Sequence, residues 1–493
     1  MDGCRVGFGR ADITPSQPGP TMGWSSLGPK RATPPPEADQ RLYVSALALE
    51  DTAGERVVFV NGDLHCGGMH LWRAAVEASG LEPSRVVMSG THTHAGPAQR
   101  YGSLLYTLMA GPSPFAPWSS ARRLAPLVRT AVRAALTSLT PGRAAIVGGL
   151  VAHAGSNRAA PAWDHYEPSV RTGFLERGQA SGLNDEMHDA DRMRDPRVTV
   201  LVARSDDGTV DAALAWYAVH GTALGKDWPA FGADLWGFAR VESERDGTSV
   251  GFGGGSSGDI SPLPVDGKGR LRTSDSHRPS TQGRELAEAV GRRLGAVVRA
   301  AIAGANPQGF ALRSAHELWA PGSSGLPRPL SGMATAGGGV DGSTEIWADV
   351  ADGVRSPLYE RRRRRALPGT GGQGPKVSIV HAYTGIPLPI GWLFSLLAPR
   401  RLPLHVVRVG DHSFATVPGE PTTVTGWRIE QAVKEAAGCE TASVIGFAGD
   451  YGGYWTTQEE YLEQRYEGAS TIYGGEASAR LTDRLASLAR TLG

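Results

Sequence analysis

Residues 85–97 read Arg85-Val86-Val87-Met88-Ser89-Gly90-Thr91-His92-Thr93-His94-Ala95-Gly96-Pro97. A short β-branched run, strand-like in length and composition, ends directly in polar residues and a Gly-Pro turn. The same grammar returns along the chain. Residues 56–60 (RVVFV) run into Asn61-Gly62-Asp63, and 212–219 (AALAWYAV) run into His220-Gly221-Thr222. Residues 413–417 (SFATV) precede Pro418-Gly419-Glu420, and 443–447 (SVIGF) precede Ala448-Gly449-Asp450-Tyr451. Sites assembled at strand ends have this pattern. Apolar periodicity and cap residues predict helices over 69–78, 120–136, 282–303, 422–437 and 476–492, with Pro421 at a first helical position. Strands and helices thus interleave along the whole length, and the expected fold is α+β, a mixed α/β domain.

Composition bounds the function. Among 493 residues, 50 Lys and Arg face 49 Asp and Glu, a formal net charge of +1. That balance argues against a chain built to coat nucleic acid or an anionic membrane. Hydrophobic residues at 40% supply a large core, while Gly 66 and Pro 34, scattered without period, mark many loops. The three cysteines, Cys4, Cys66 and Cys439, are too dispersed for a disulfide framework or a thiolate zinc site, which suits a reducing compartment. The start, Met1-Asp2-Gly3-Cys4-Arg5-Val6, carries no apolar run of signal-peptide length, so the expected location is cytoplasmic. Residues 385–399 (GIPLPIGWLFSLLAP) are shorter than the roughly 20 residues of a membrane span and hold three prolines. They read as a buried apolar loop or as a surface for peripheral membrane contact. Residues 321–376, with Arg361 to Arg365, form the least core-like stretch, a solvated loop or a lid-like insertion.

The chemistry-bearing residues fall at the strand ends. On an extended segment the imidazoles of His92 and His94 project to one face, a spacing that suits a metal or acid–base work. His220, Glu420 and the tyrosines Tyr451, Tyr454 and Tyr466 occupy the other ends. Two imidazoles with a carboxylate suit Zn²⁺. Each also has a structural reading: His220 as a core histidine bonded to backbone, Glu420 as a helix N-terminal acid, the tyrosines as core aromatics. A G-x-S-x-G match at Gly254 to Gly258 lacks the elbow's context, because Asp259-Ile260-Ser261-Pro262-Leu263-Pro264 follows and its prolines oppose a helix.

Together the motifs resemble the neutral (non-lysosomal) ceramidases, which hydrolyse the amide of N-acylsphingosines. The matching blocks are 9–15 (GRADITP), Met22-Gly23-Trp24, 89–97 (SGTHTHAGP), Asn157-Arg158, Ala218-Val219-His220, 258–262 (GDISP), 417–423 (VPGEPTT) and 451–474 (YGGYWTTQEEYLEQRYEGASTIYG). The resemblance implies one catalytic domain, with two central sheets flanked by helices and a zinc ion at strand ends. It implies His92, His220, Glu420 and Tyr454 as zinc ligands and His94 as proton donor and acceptor. Arg158 and Tyr466 fall where the family holds the substrate carbonyl, and Ser261 matches a serine of the family's amidase motif. Zinc-activated water, with Ser261 as the rival nucleophile, would attack the amide carbon. Residues 475–493 alone follow the last block, so the immunoglobulin-like C-terminal domain of family members is expected to be missing. Leu263 replaces the usual Asn, and Ala159-Ala160-Pro161 follows Arg158 in place of Ser-Pro. The expected partner is a small lipid-like N-acyl substrate, ceramide or a relative of it, with no nucleic acid. The same site could serve a zinc acyltransferase, an amide-forming enzyme or an esterase, and a non-catalytic lipid-binding descendant is the reading from another class.

Overall fold

The strand Tyr43–Glu50 is buried along almost its whole length, as is Arg56–Gly62, so both faces of the sheet they share must be covered. The structure is a computed structural model that describes residues 3–23, 31–99, 101–110, 117–179, 193–264, 279–339, 372–378 and 396–493. Its larger sheet has eight strands, in the spatial order Ser249–Gly254, Asp211–Tyr217, Arg197–Ser205, Thr140–Leu150, Arg5–Asp12, Tyr43–Glu50, Arg56–Gly62 and Val86–Gly90. A second sheet of four strands runs Leu312–Trp319, Leu402–Val409, His412–Thr416 and Thr441–Ile445.

The two sheets face each other. Between them Leu47, Leu49, Phe59, Leu214 and Trp216 of the larger sheet pack against Val407, Phe414 and Ile445 of the smaller, and the ring of Phe414 lies 5.4 Å from Phe59 and 5.1 Å from Trp216. Helices close the outer faces. Met69–Ser79 and Pro117–Thr137 set Leu71, Trp72, Leu124, Val128 and Val132 against Val44, Ala46, Val58 and Val60. Leu235–Ser243 and Ser280–Ala303 cover Val200, Val202, Ala213 and Ala215. On the far side Thr423–Ala437 and Ala477–Arg490 bury Ile429, Val433, Leu481 and Leu485 against the smaller sheet. The layers run helix, sheet, sheet, helix, as the mixed α/β reading expects.

Within these two sheets most strand pairs are antiparallel, but three are parallel: Arg56–Gly62 with Val86–Gly90, Asp211–Tyr217 with Ser249–Gly254, and His412–Thr416 with Thr441–Ile445. Each pair is joined through a helix, respectively Met69–Ser79, Leu235–Ser243 and Thr423–Ala437. Parallel pairs point their carboxyl ends the same way, and open α/β sheets bind ligands just outside those ends.

The expected helices all form, with boundaries shifted by a few residues. Pro421 is not the first helical residue: it pairs with Trp455 in a short parallel bridge, and the helix begins at Thr423 with Thr422 as its N-cap. The helix Leu235–Ser243, not foreseen, starts where the Asp234 carboxylate accepts the Leu235 N–H. No helix among the described residues is long and apolar enough to cross a membrane. Trp24, Arg361 to Arg365 and residues 385–395 lie outside the described residues, as does the middle of the 321–376 stretch.

Candidate active site

Each parallel pair delivers functional side chains. After Val86–Gly90 the chain turns through Thr91 to His92, whose φ of +62° departs from the extended backbone expected for the H-x-H spacing. Backbone bonds hold this turn: Thr91 N–H donates to Gly62 O (2.9 Å), His92 N–H to Leu64 O (2.9 Å) and His94 N–H to Gly221 O (3.0 Å). The loop bearing His94 is thereby stitched to the loop after His220. The imidazoles still meet, with Nε2 of His94 3.2 Å from Nε2 of His92.

His92 is fully buried, and its ring stacks on Phe447 at 4.0 Å. Its Nδ1 lies 2.9 Å from the carbonyl of His65. His220 is arranged in the same manner, with Nδ1 3.1 Å from the carbonyl of Ile260. A backbone carbonyl only accepts, so both rings carry their proton on Nδ1 and present a bare Nε2. These nitrogens face Oε2 of Glu420, 3.4 Å from His92 and 3.1 Å from His220. Glu420 follows His412–Thr416 and pairs in parallel with Tyr454, and its Oε2 is buried with no hydrogen-bond donor. Three acceptor atoms within 4.8 Å of one another and no hydrogen between them are a donor set for a cation. Burial holds the pKa of His92 below the ordinary imidazole range, which keeps its ring neutral as a ligand must be.

The tyrosines divide their work. The Tyr451 hydroxyl donates a short hydrogen bond to Oε1 of Glu420. The Tyr454 hydroxyl accepts from Nη2 of Arg158 at 2.8 Å, and burial pushes its phenol pKa well up, so it carries its proton. Nη2 of Arg158 lies 3.4 Å from Nε2 of His220, which sets Tyr454 and Arg158 beside the histidines. Arg158 is itself locked, with Nη2 on Gly258 O (2.8 Å) and Nε on Oε1 of Glu467 (2.7 Å). Tyr466, beside Glu467, packs its ring edge-on to Tyr454 at 5.3 Å and under Arg158 at 5.5 Å.

The motif Gly258-Asp259-Ile260-Ser261 works chiefly through its backbone. Gly258 O orients Arg158, Ile260 O orients His220, and Asp259 O accepts the N–H of Arg158. The Asp259 carboxylate ties Asn157 to Thr423 at the start of a helix. Ser261 is buried, and its Oγ accepts the N–H of Leu263 at 3.2 Å.

Two residues escaped the sequence reading. His65 sits in the loop after Arg56–Gly62, its ring 4.2 Å from His92 and 5.4 Å from His94, and a ring nitrogen is within metal-ligand reach of both. Tyr101 meets its Nδ1 at 2.7 Å. His65 lies at a strand end like the others, so that signal was available; nothing marked Tyr101.

The model of the neutral/alkaline non-lysosomal ceramidase family, N-terminal region, matches residues 4–267 and 325–482. The chain belongs to this family. Membership makes it an amide hydrolase of the ceramidase kind. Among its relatives, the neutral ceramidase of Pseudomonas aeruginosa is 28% identical over 95% of this chain and 69% of its own length. That of Mycobacterium tuberculosis is 26% identical, over 82% of this chain and 63% of its own length. Two solved structures share the fold across the whole chain and 75% of their own, each at 23% identity: a ceramidase complexed with C2 (TM-score 0.74) and the Pseudomonas aeruginosa neutral ceramidase (0.72).

Proposed function

We propose that this chain hydrolyses the amide bond of ceramide or a ceramide-like N-acyl amine, with a zinc ion held by His92, His220 and Glu420 and Tyr454 completing the set. The observation that carries the reading is the convergence of two bare Nε2 atoms on a carboxylate oxygen that receives no hydrogen bond. Zinc bound there would bring the pKa of a coordinated water towards about 7 and polarise a carbonyl oxygen.

The chain's own groups do the rest. Nε2 of His94 lies beside the centre, 3.2 Å from Nε2 of His92, where it can hold a proton and pass it to the amide nitrogen as the C–N bond breaks. An amine is a poor leaving group, and a placed general acid contributes about 10²- to 10⁴-fold. Arg158 and Tyr466 hold the carbonyl oxygen, each preorganised donor contributing about 3 kcal/mol. Arg158 can serve because Glu467 and Gly258 fix its guanidinium before substrate arrives. The names of the relatives support a ceramide-type substrate. Leu263 and Ala159, the departures from the family pattern, lie next to Ser261 and Arg158 in the chain.

The test is turnover of a fluorogenic N-acylsphingosine by zinc-loaded protein, with fatty acid and amine released in equal amounts. Zinc-loaded protein that releases neither product from a panel of N-acyl amines contradicts the reading.

A further inference from the structure

Lys376 is 1% exposed, and its ammonium sits among carbonyls, 3.2 Å from Leu330 O, 3.1 Å from Ala469 O and 2.5 Å from Thr471 O. The ring of Tyr461 lies 4.9 Å from Nζ. Among the described residues no carboxylate pairs with it. Three acceptors use all three N–H bonds of the ammonium form, and such complete satisfaction is what a buried cation requires.

The carbonyls belong to two segments far apart in sequence. Leu330 lies near the start of the loop-rich stretch, and Ala469 and Thr471 end the short helix Tyr466–Ser470. A seam of further bonds runs alongside. Leu330 N–H donates to Ile472 O (2.9 Å), Gly332 N–H to Ala469 O (2.8 Å) and Gln373 Nε2 to Ile472 O (2.9 Å), while Tyr461 O–H donates to Gln373 O (2.7 Å). The other end of that short helix carries Tyr466 and Glu467, the two residues set against Arg158.

We propose that Lys376 is a positioning residue for the amide-cleaving site: it fastens both roots of the loop-rich stretch to the C-terminal end of the helix whose first turn places Tyr466 and Glu467. The proposal rests on the reading of Arg158 and Tyr466 as the carbonyl-holding groups. If the seam loosens, Tyr466 and the Glu467 lock on Arg158 drift, while His92, His220 and Glu420, on other elements, stay where they are.

Lys376→Met, close in shape and without N–H groups, is compared with wild type by amide hydrogen exchange, metal content and steady-state kinetics on an N-acylsphingosine. Expected are faster exchange confined to residues 326–335 and 466–474, unchanged metal per chain, and kcat lower by about tenfold or more. Lys376→Gln, which keeps two N–H donors, regains part of kcat. Should Lys376→Met not fold, Gly332→Ala tests the same seam, because a Cβ there meets the Cβ of Ala469 at 2.8 Å. Unchanged exchange at 466–474, full kcat despite faster exchange, or metal lost together with kcat each overturns the proposal. Wild-type protein that cleaves no N-acyl amine refutes the reading of the site, whereas the exchange pattern still decides whether Lys376 holds the seam.

Discussion

Gly23 lies against the ring of His94: a Cβ on Gly23 would fall 2.6 Å from Cγ and 2.7 Å from Nδ1 of that imidazole, and the glycine's φ is +92°. No L side chain suits that backbone, and none fits the space. The loop bearing Met22 and Gly23 therefore forms one wall of the seat of His94, the residue proposed to transfer the proton. Gly23→Ala should push the His94 ring aside and lower kcat by about tenfold or more, since ångström-scale displacement of a catalytic group costs that much. His94 stands beside the metal set, so zinc content should not change. Metal analysis and kinetics on one preparation check both halves.

Tyr451 orients Glu420 through Oε1 while Oε2 faces the histidines. Partners that orient metal ligands typically account for about 10- to 100-fold in metal affinity. Tyr451→Phe should weaken zinc binding by about that factor in competition with a chelator. An unchanged affinity would mean that Glu420 is held by its backbone alone.

Ser261 offers a sharp choice between nucleophiles. Its Oγ accepts the Leu263 N–H, and its neighbour Ile260 supplies the carbonyl that orients His220. Ser261→Ala should retain kcat within about tenfold while lowering stability by about 1 kcal/mol for the lost hydrogen bond. Loss of all turnover in folded, zinc-loaded Ser261→Ala would instead favour a serine nucleophile.

Acid should unfold the protein in part through two histidines remote from the site. Burial lowers the pKa of His405 to about 3 and that of His412 to about 4. Both are neutral in the fold, whereas the unfolded chain takes up their protons below about 6.5. The unfolded state then binds more protons, so stability is complete above that pH and falls as pH drops towards the folded pKa values. Each contributes about 1.4 kcal/mol per pH unit within this window. Urea midpoints measured from pH 7 to 4.5 should decline, and His405→Gln should flatten the decline.

Much of the candidate site was legible because its residues stand within a few positions of apolar runs: His92, His94, His220 and Glu420 all follow strands the sequence marks. His65 obeys the same grammar, separated by two residues from the strand Arg56–Gly62 just as His220 is from Asp211–Tyr217, but the polar stretch read from the sequence stopped at Asp63. The left-handed φ of His92 has no signature, since a histidine gives no hint of the backbone that neighbouring loops impose. The facing of the two sheets was equally hidden. Phe59 and Phe414 read as ordinary core residues, and only the folded chain brings positions 355 apart in sequence into ring contact. The family resemblance supplied roles for Arg158 and Tyr466 that spacing alone does not carry. It also assigned Tyr454 to the metal, and the structure sets that hydroxyl on Arg158, beside His220, while Tyr451 bonds Glu420.

The most direct measurement is the zinc content of protein purified without chelators, with wild type beside His220→Ala and Glu420→Gln and an N-acylsphingosine assay on the same samples. One zinc per wild-type chain, with metal and hydrolysis lost together in both variants, is the expected result. Wild-type protein that hydrolyses the amide at full rate without metal would contradict the account.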